Sequence, residues 1–243
     1  AVQGISAKLN TIAKIRGEYV VASKYDFWFL NADLSPKFHA AMDPWFSANV
    51  LDLVGITALD KDAYVLMGSN KSLLRVRQNP EADDVQGWPN FTAGRSHIEA
   101  VGGLGRARID TERAKFSYIH SSATDGRYVF MATVPDNKNK KQFVISKALM
   151  KDWMLSGEFV PTAEMLKKDR SLGELYVTGM VYEDGKLYAV SKNWNVLVVI
   201  DVAQEAVVEA WGLPEELTDI RGLVKDGSTF EVIDANRVVK LTM

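Results

Sequence analysis

Tyr176-Val-Thr-Gly-Met-Val-Tyr-Glu-Asp-Gly-Lys-Leu-Tyr-Ala-Val-Ser191 is the stretch on which the fold turns. Two β-rich runs flank Asp184-Gly185, a dipeptide suited to a two-residue hairpin because both positions tolerate the left-handed backbone of a primed turn. A polar loop, Ser191-Lys-Asn-Trp194, leads into Val196-Leu-Val-Val-Ile200, and a further turn leads into Ala206-Val-Val-Glu-Ala-Trp211. Strand, turn, strand, loop, strand, turn, strand is one antiparallel four-stranded sheet.

The phrase recurs. Gly55 precedes Tyr64 by nine residues, Gly179 precedes Tyr188 by nine and Gly222 precedes Phe230 by eight. Each aromatic opens a short apolar run that ends in a polar loop: Gly68-Ser-Asn-Lys71, Ser191-Lys-Asn-Trp194 and Asp234-Ala-Asn-Arg237. Tyr19 and Tyr128 open similar runs after Arg16-Gly17 and Asp125-Gly126. A four-stranded sheet repeated along one chain is the unit of a β-propeller, whose blades surround a central channel.

The reading is therefore an all-β chain in which residues 1–243 form a single propeller domain, with a β-sandwich as the competing architecture. The five aromatics are separated by 45, 64, 60 and 42 residues. Two gaps suit one blade each. The two longer gaps are assigned to inserts at about 80–111 and 150–173, the second with a short helix expected over Ala163 to Lys168 after Pro161. Five blades are preferred, six are possible. The last unit supplies three strands, and Val2 to Ala7 are expected to add the fourth, closing the ring and covering an exposed edge.

Composition bounds the chemistry. The chain carries 47% hydrophobic and 25% charged residues, a formal net charge of -2, no cysteine and three histidines. Disorder, disulfide frameworks and thiolate chemistry are excluded, and charge alone points to no nucleic-acid partner. No run of 18 apolar residues occurs. The start at Ala1, without an initiator methionine, is read as a processed product, and a cysteine-free composition suits an extracytoplasmic domain cut from a signal or membrane anchor. A cytosolic chain poor in cysteine fits too. The two Asn-X-Ser/Thr triplets are read as chance matches.

The phrase around Tyr176 to Ser191, continued by Leu197 to Asp201 and Val207 to Gly212, resembles bacterial propellers of the YVTN-repeat, SdiA-regulated and NHL-like group. That group contains binding scaffolds, envelope proteins and calcium-dependent lactonases, so the resemblance implies a fold and leaves function open.

Aspartates 60, 62, 125, 184 and 226 are read as turn residues. A lactonase-type site needs oxygen ligands converging at one mouth, and Asn70, Asn137, Glu174, Asn193, Asp219, Asp234 and Asn236 are the candidates for calcium. His120, expected on an inner strand, faces the channel; with Ser121 or Ser122 it suggests a hydrolase, yet no nucleophile elbow is present. His97, in the first insert, is a second channel candidate. His39 is placed on an outer surface strand. Val101 to Gly105 lacks the helix that a phosphate loop needs, and Asp136 to Lys141 reads as a solvated hairpin tip.

The loops between second and third strands emerge on one face. Lys24, Tyr25, Asn70, Lys71, Lys192, Asn193, Trp194, Asn236 and Arg237, with His120 and Arg221 at the channel, make that face the candidate surface for a protein or small-molecule ligand. The functional expectation is a monomeric, non-enzymatic binding domain of an envelope protein, without a cofactor; the alternative is a calcium-dependent lactonase or esterase.

Overall fold

In the computed structural model, the structure describes residues 2, 4–41, 52–58, 63–77, 98–100, 108–135, 142–166 and 171–243. Five antiparallel sheets form in chain order. Blade 1 is β1 (Thr11–Ile15), β2 (Glu18–Ala22), β3 (Asp26–Leu30) and β4 (Pro36–Ala41). Blade 2 is β5 (Leu53–Ala58), β6 (Ala63–Gly68), β7 (Leu73–Arg77) and β8 (Ile98–Ala100). Blade 3 is β9 (Ile119–Thr124), β10 (Tyr128–Thr133), β11 (Ile145–Leu149) and β12 (Met154–Phe159). Blade 4 is β13 (Val177–Glu183), β14 (Lys186–Ser191), β15 (Val196–Asp201) and β16 (Ala206–Gly212), and blade 5 is β17 (Ile220–Asp226), β18 (Thr229–Asp234) and β19 (Arg237–Thr242).

The first strands β1, β5, β9, β13 and β17 touch one another in a closed circuit, which makes them the wall of a central channel and the molecule a five-bladed propeller. Each of the five aromatics that mark the repeat lies within the first three residues of a second strand. Asp184 and Gly185 have φ of 49° and 80°, the paired left-handed conformation of a primed hairpin turn.

Five hydrophobic clusters fill the five seams between blades. Phe27 and Phe29 of blade 1 meet Ile56 and Tyr64 of blade 2, Met67 meets Met131, and Phe130 meets Met180 and Leu187. Leu197 and Val199 meet Leu223 and Phe230, and Val21 and Leu30 meet Val224 and Ile233 across the seam where the ring closes. Burying each such side chain contributes on the order of 1.5–3 kcal/mol, so the seams supply the main cohesion between blades. The repeat aromatics add polar staples. Arg16 of blade 1 donates to the Tyr64 hydroxyl at 2.9 Å, Lys225 of blade 5 lies 5.2 Å from the Tyr188 ring, and the Tyr19 hydroxyl reaches both oxygens of Glu231 at 2.7 Å.

The glycine of the repeat has a purpose that spacing alone does not reveal. A Cβ on Gly179 would lie 2.4 Å from the Gly222 carbonyl carbon, one on Gly222 would lie 2.7 Å from the Ile12 nitrogen, and one on Gly55 would lie 2.0 Å from Ser122 Oγ. Neighbouring inner strands therefore abut at one level, where the ring is drawn tight. A β-bulge sits at that level in β5, β13 and β17, between Leu53 and Gly55, Val177 and Gly179, and Arg221 and Leu223.

Three expectations are corrected. Blade 5 has three strands among the described residues: the N-terminal segment does not pair with β19 but is pinned to the β18–β19 turn, through Val2 N–H to Asn236 O at 2.9 Å and Leu9 N–H to Ala235 O at 3.0 Å. Burial of Val2, Ile5 and Leu9 in the blade 5 to blade 1 seam decides this placement over an edge strand. The stretch 150–173 is not purely an insert, since β12 is the fourth strand of blade 3, and β8 likewise falls within 80–111. The helix expected from Ala163 is a single turn closed by Leu166 N–H to Ala163 O at 3.0 Å; Lys167 and Lys168 lie outside the described residues, as do Asp60, Asp62, His97, residues 101–107 and residues 136–141.

Candidate functional site

All five blades place a polar side chain at the start of the inner strand, and these starts share the channel mouth on the face that carries the second-to-third-strand loops. Asn10 stands before β1, Asp52 before β5, His120 is the second residue of β9, Tyr176 stands before β13, and Asp219 and Arg221 bracket the start of β17.

Arg221 is the anchor. Its side chain is buried, the residue 8% exposed, yet it stays charged because a guanidinium does not lose its proton in proteins. Nε donates to Asp219 Oδ1 at 3.1 Å and Nη1 to Asn10 Oδ1 at 3.1 Å, while Nη2 makes no hydrogen bond among the described residues. Lys8 completes the group with a 2.8 Å ion pair to Asp219 Oδ2. Burial alone would raise the Asp219 pKa, but the hydrogen bonds from Lys8 and Arg221 outweigh it and hold the carboxyl below its usual range.

His120 meets Tyr176 edge to face, ring centroids 5.3 Å apart, with the phenol oxygen 3.4 Å from either ring nitrogen. Burial, followed by the field of Arg221, pushes the imidazole down to about 4, so it is uncharged at neutral pH. Burial likewise raises the Tyr176 phenol. Lys192 sits above the Tyr176 ring at 5.7 Å, its ammonium held below the ordinary lysine value by burial and then by Arg221. Across the mouth, Asp52 Oδ1 is buried without a hydrogen bond, its nearest cation being Lys24 Nζ at 3.9 Å.

The residues expected on this face divide. His120, Arg221, Asp219 and Lys192 come together, and Lys24 joins through Asp52. Tyr25 is half-buried against the blade 1 to blade 2 cluster beneath Lys24. Lys71 is a correction: it is 1% exposed, and its ammonium donates to Thr111 Oγ1 at 2.9 Å and the Ala114 carbonyl at 2.7 Å, tying down the segment before blade 3. Trp194 packs against the blade 3 to blade 4 cluster and is no exposed anchor. Asn70 accepts from Ser72 N–H and Arg237 pairs with Asp234, so these two stabilise their own loops, while Asn236 donates to the Ile5 carbonyl and holds the N-terminal segment.

Among the described residues, the oxygen donors named for a cation do not form a ligand set. Asn193 spends its amide on the Tyr176 N–H and the carbonyl of Glu174, Asp219 is taken by Lys8 and Arg221, and Asp234 accepts from Thr218 N–H, Asp219 N–H and Arg237. Among the described residues no group of three or more His, Asp or Glu side chains is arranged to hold a metal ion, and Asn137 lies outside them. Nor does His120 pair with Ser121 or Ser122 among the described residues: its ring nitrogens face the Tyr176 hydroxyl, and Ser121 Oγ is buried without a hydrogen-bond partner. Asn10, Asp52 and Tyr176 escaped the sequence reading; aligning the residue before each inner strand across the repeats would have exposed them.

No family model matches the chain, and no curated protein matches it. Solved structures do. A glutaminyl cyclase from Myxococcus xanthus superposes with a TM-score of 0.61 at 10% identity, covering 98% of this chain and 92% of that one. The WD40 propeller domain of Doa1 superposes with a TM-score of 0.52 at 7% identity, covering 98% and 64% respectively. At such identities the likeness establishes the propeller fold, and the YVTN, SdiA-regulated and NHL-like resemblance gains no support at the level of family.

Proposed function

We propose that the chain is a binding propeller that takes a small ligand bearing an anionic group at the loop-rich mouth of its channel. The observation that carries this reading is Arg221: a buried guanidinium with Nη2 unspent, at a mouth where Lys8, Lys24 and Lys192 outnumber Asp52 and Asp219. A buried cation is stabilised when its remaining donor meets an anion, and an arginine fork matches a carboxylate or phosphate. His120, uncharged, adds a hydrogen-bonding nitrogen without adding charge.

The test uses the imidazole as reporter. Titrating acetate, succinate and inorganic phosphate while following the His120 ring by NMR is expected to shift its resonances, and a bound anion should raise its pKa above the value near 4. Lys192→Gln should weaken the response. A His120 signal that ignores all three anions sinks the reading.

A second, enzymatic reading is favoured by one observation, the uncharged imidazole beside a phenol, a pair able to pass a proton. Joined to the shared ring with a glutaminyl cyclase, it suggests closure of an N-terminal glutaminyl residue with release of ammonia. Mass spectrometry of a peptide beginning with Gln decides: loss of ammonia that disappears in His120→Ala supports an enzyme, and an unchanged peptide leaves the binding role.

A further inference from the structure

Beyond the glycine level, the channel opens again toward the opposite face. There a cavity of about 610 Å³ is walled by all five inner strands, a size that suits a small molecule. Its lining follows the tight level in every blade: Ala13 in β1, Ala58 in β5, Ala123 in β9, Val181 in β13 and Leu223 in β17 supply small and aliphatic side chains. Five Ser and Thr side chains line it: Thr124 Oγ1 donates to the Tyr128 carbonyl at 2.8 Å, Ser121 Oγ is buried without a partner, and the hydroxyls of Thr11, Thr57 and Ser122 make no hydrogen bond among the described residues. The cations at the rim are already engaged. Lys14 lies 3.5 Å from Asp226, Lys225 bonds Glu183 at 2.5 Å, and Arg16 donates to Tyr64 at 2.9 Å.

We propose that this lower chamber is a second binding site, for an uncharged small molecule with an apolar body and an oxygen atom that accepts a hydrogen bond. The apolar wall gains from covering hydrocarbon, the unspent hydroxyls offer donors, and the two rim lysines already have carboxylate partners. An anion at Lys14 or Lys225 would have to displace Asp226 or Glu183, which separates this chamber from the mouth around Arg221.

The probe is prodan, a neutral naphthalene ketone whose emission moves to the blue in apolar surroundings. Titrated into the full chain, it is expected to bind saturably at one site per chain with a blue shift. Ala58→Phe, which fills the cavity, should abolish binding. Thr57→Val and Ser122→Ala keep shape while removing a hydroxyl, and at least one should weaken prodan by roughly 2- to 10-fold, the range for one neutral hydrogen bond. Thermal melts check folding; should Ala58→Phe fail to fold, the hydroxyl variants carry the test. Absence of saturable binding, affinity unchanged in both hydroxyl variants, or equal binding of the anionic 1-anilinonaphthalene-8-sulfonate overturns the proposal. Succinate, the mouth probe, should leave prodan binding unaltered, so failure at one end is distinguishable from failure at the other.

Discussion

His120 shows how a single side chain reports its surroundings. Its pKa falls from 6.5 to about 4 on folding because burial and Arg221 oppose a second positive charge. The folded chain thus binds fewer protons than the unfolded chain between these values. Stability from this residue is fully present above about pH 6.5 and is lost as pH falls toward 4. Urea titrations across that window should show a declining midpoint, and His120→Gln should flatten the decline; an identical slope in the variant contradicts the assignment. Tyr19 and Glu231 form a second informative pair. Glu231 is 3% exposed and accepts the Tyr19 hydroxyl proton between its two carboxylate oxygens, each 2.7 Å away, and that proton is held tightly by burial and by the carboxylate. Tyr19→Phe should cost about 2 kcal/mol in urea unfolding, since a buried acceptor loses its donor, and adding Glu231→Gln should recover part of it. Full additivity of the two substitutions would argue against their coupling.

At the scale of the element, the inner strands carry the sharpest constraint. Gly179→Ala places a methyl 2.4 Å from backbone, where no rotamer offers relief, whereas Gly157→Ala in β12 meets nothing within 4 Å. The first should lower the melting temperature by many degrees, on the order of 3 kcal/mol or more, and the second should be nearly neutral. Equal melting of the two variants would refute a tight ring at that level. Another element-scale contact lies before β9. The Glu158 carboxylate of β12 accepts the backbone N–H groups of Glu112, Arg113 and Ala114 at 2.9, 2.8 and 3.1 Å, while Lys71 secures the Ala114 carbonyl from the other side. Glu158→Ala should cost about 1–2 kcal/mol and raise hydrogen exchange at residues 112–114. Protection unchanged at those amides would show that the turn holds without the carboxylate. That anchoring explains why Lys71, charged and next to Asn70, reads as a rim residue by spacing and is a buried strut in the fold.

For the whole molecule, the ring closes differently from the expected shared blade. Val2, Ile5 and Leu9 fill the seam between blades 5 and 1, and the N-terminal segment docks on the β18–β19 turn. Removing residues 2–9 should open the seam and lower the unfolding midpoint far more than any single surface change. A truncated chain that melts like the intact one would show that blades 1 and 5 hold without it. The same closure brings Lys8 to Asp219 and Asn10 to Arg221, so the truncation should also remove the Lys8–Asp219 ion pair and weaken the anion response of His120.

Much of the architecture was legible locally. Asp184-Gly185 specifies its hairpin because two consecutive left-handed residues suit few other dipeptides, and apolar runs of fixed spacing behind recurring aromatics announce blades before any contact is known. The face carrying the loops followed from strand alternation, and with it His120, Lys192 and Arg221. Other features depended on residues distant in sequence. That Gly55, Gly179 and Gly222 mark a tight ring, that Asn10, Asp52 and Tyr176 share a mouth, and that Trp194 and Lys71 turn inward all require the curvature that brings five inner strands together. Turn chemistry acts between neighbours in the chain, so it is written in the sequence. Close approach and charge balance act between blades up to 212 residues apart, as Tyr19 and Glu231 are, and only the closed ring decides them.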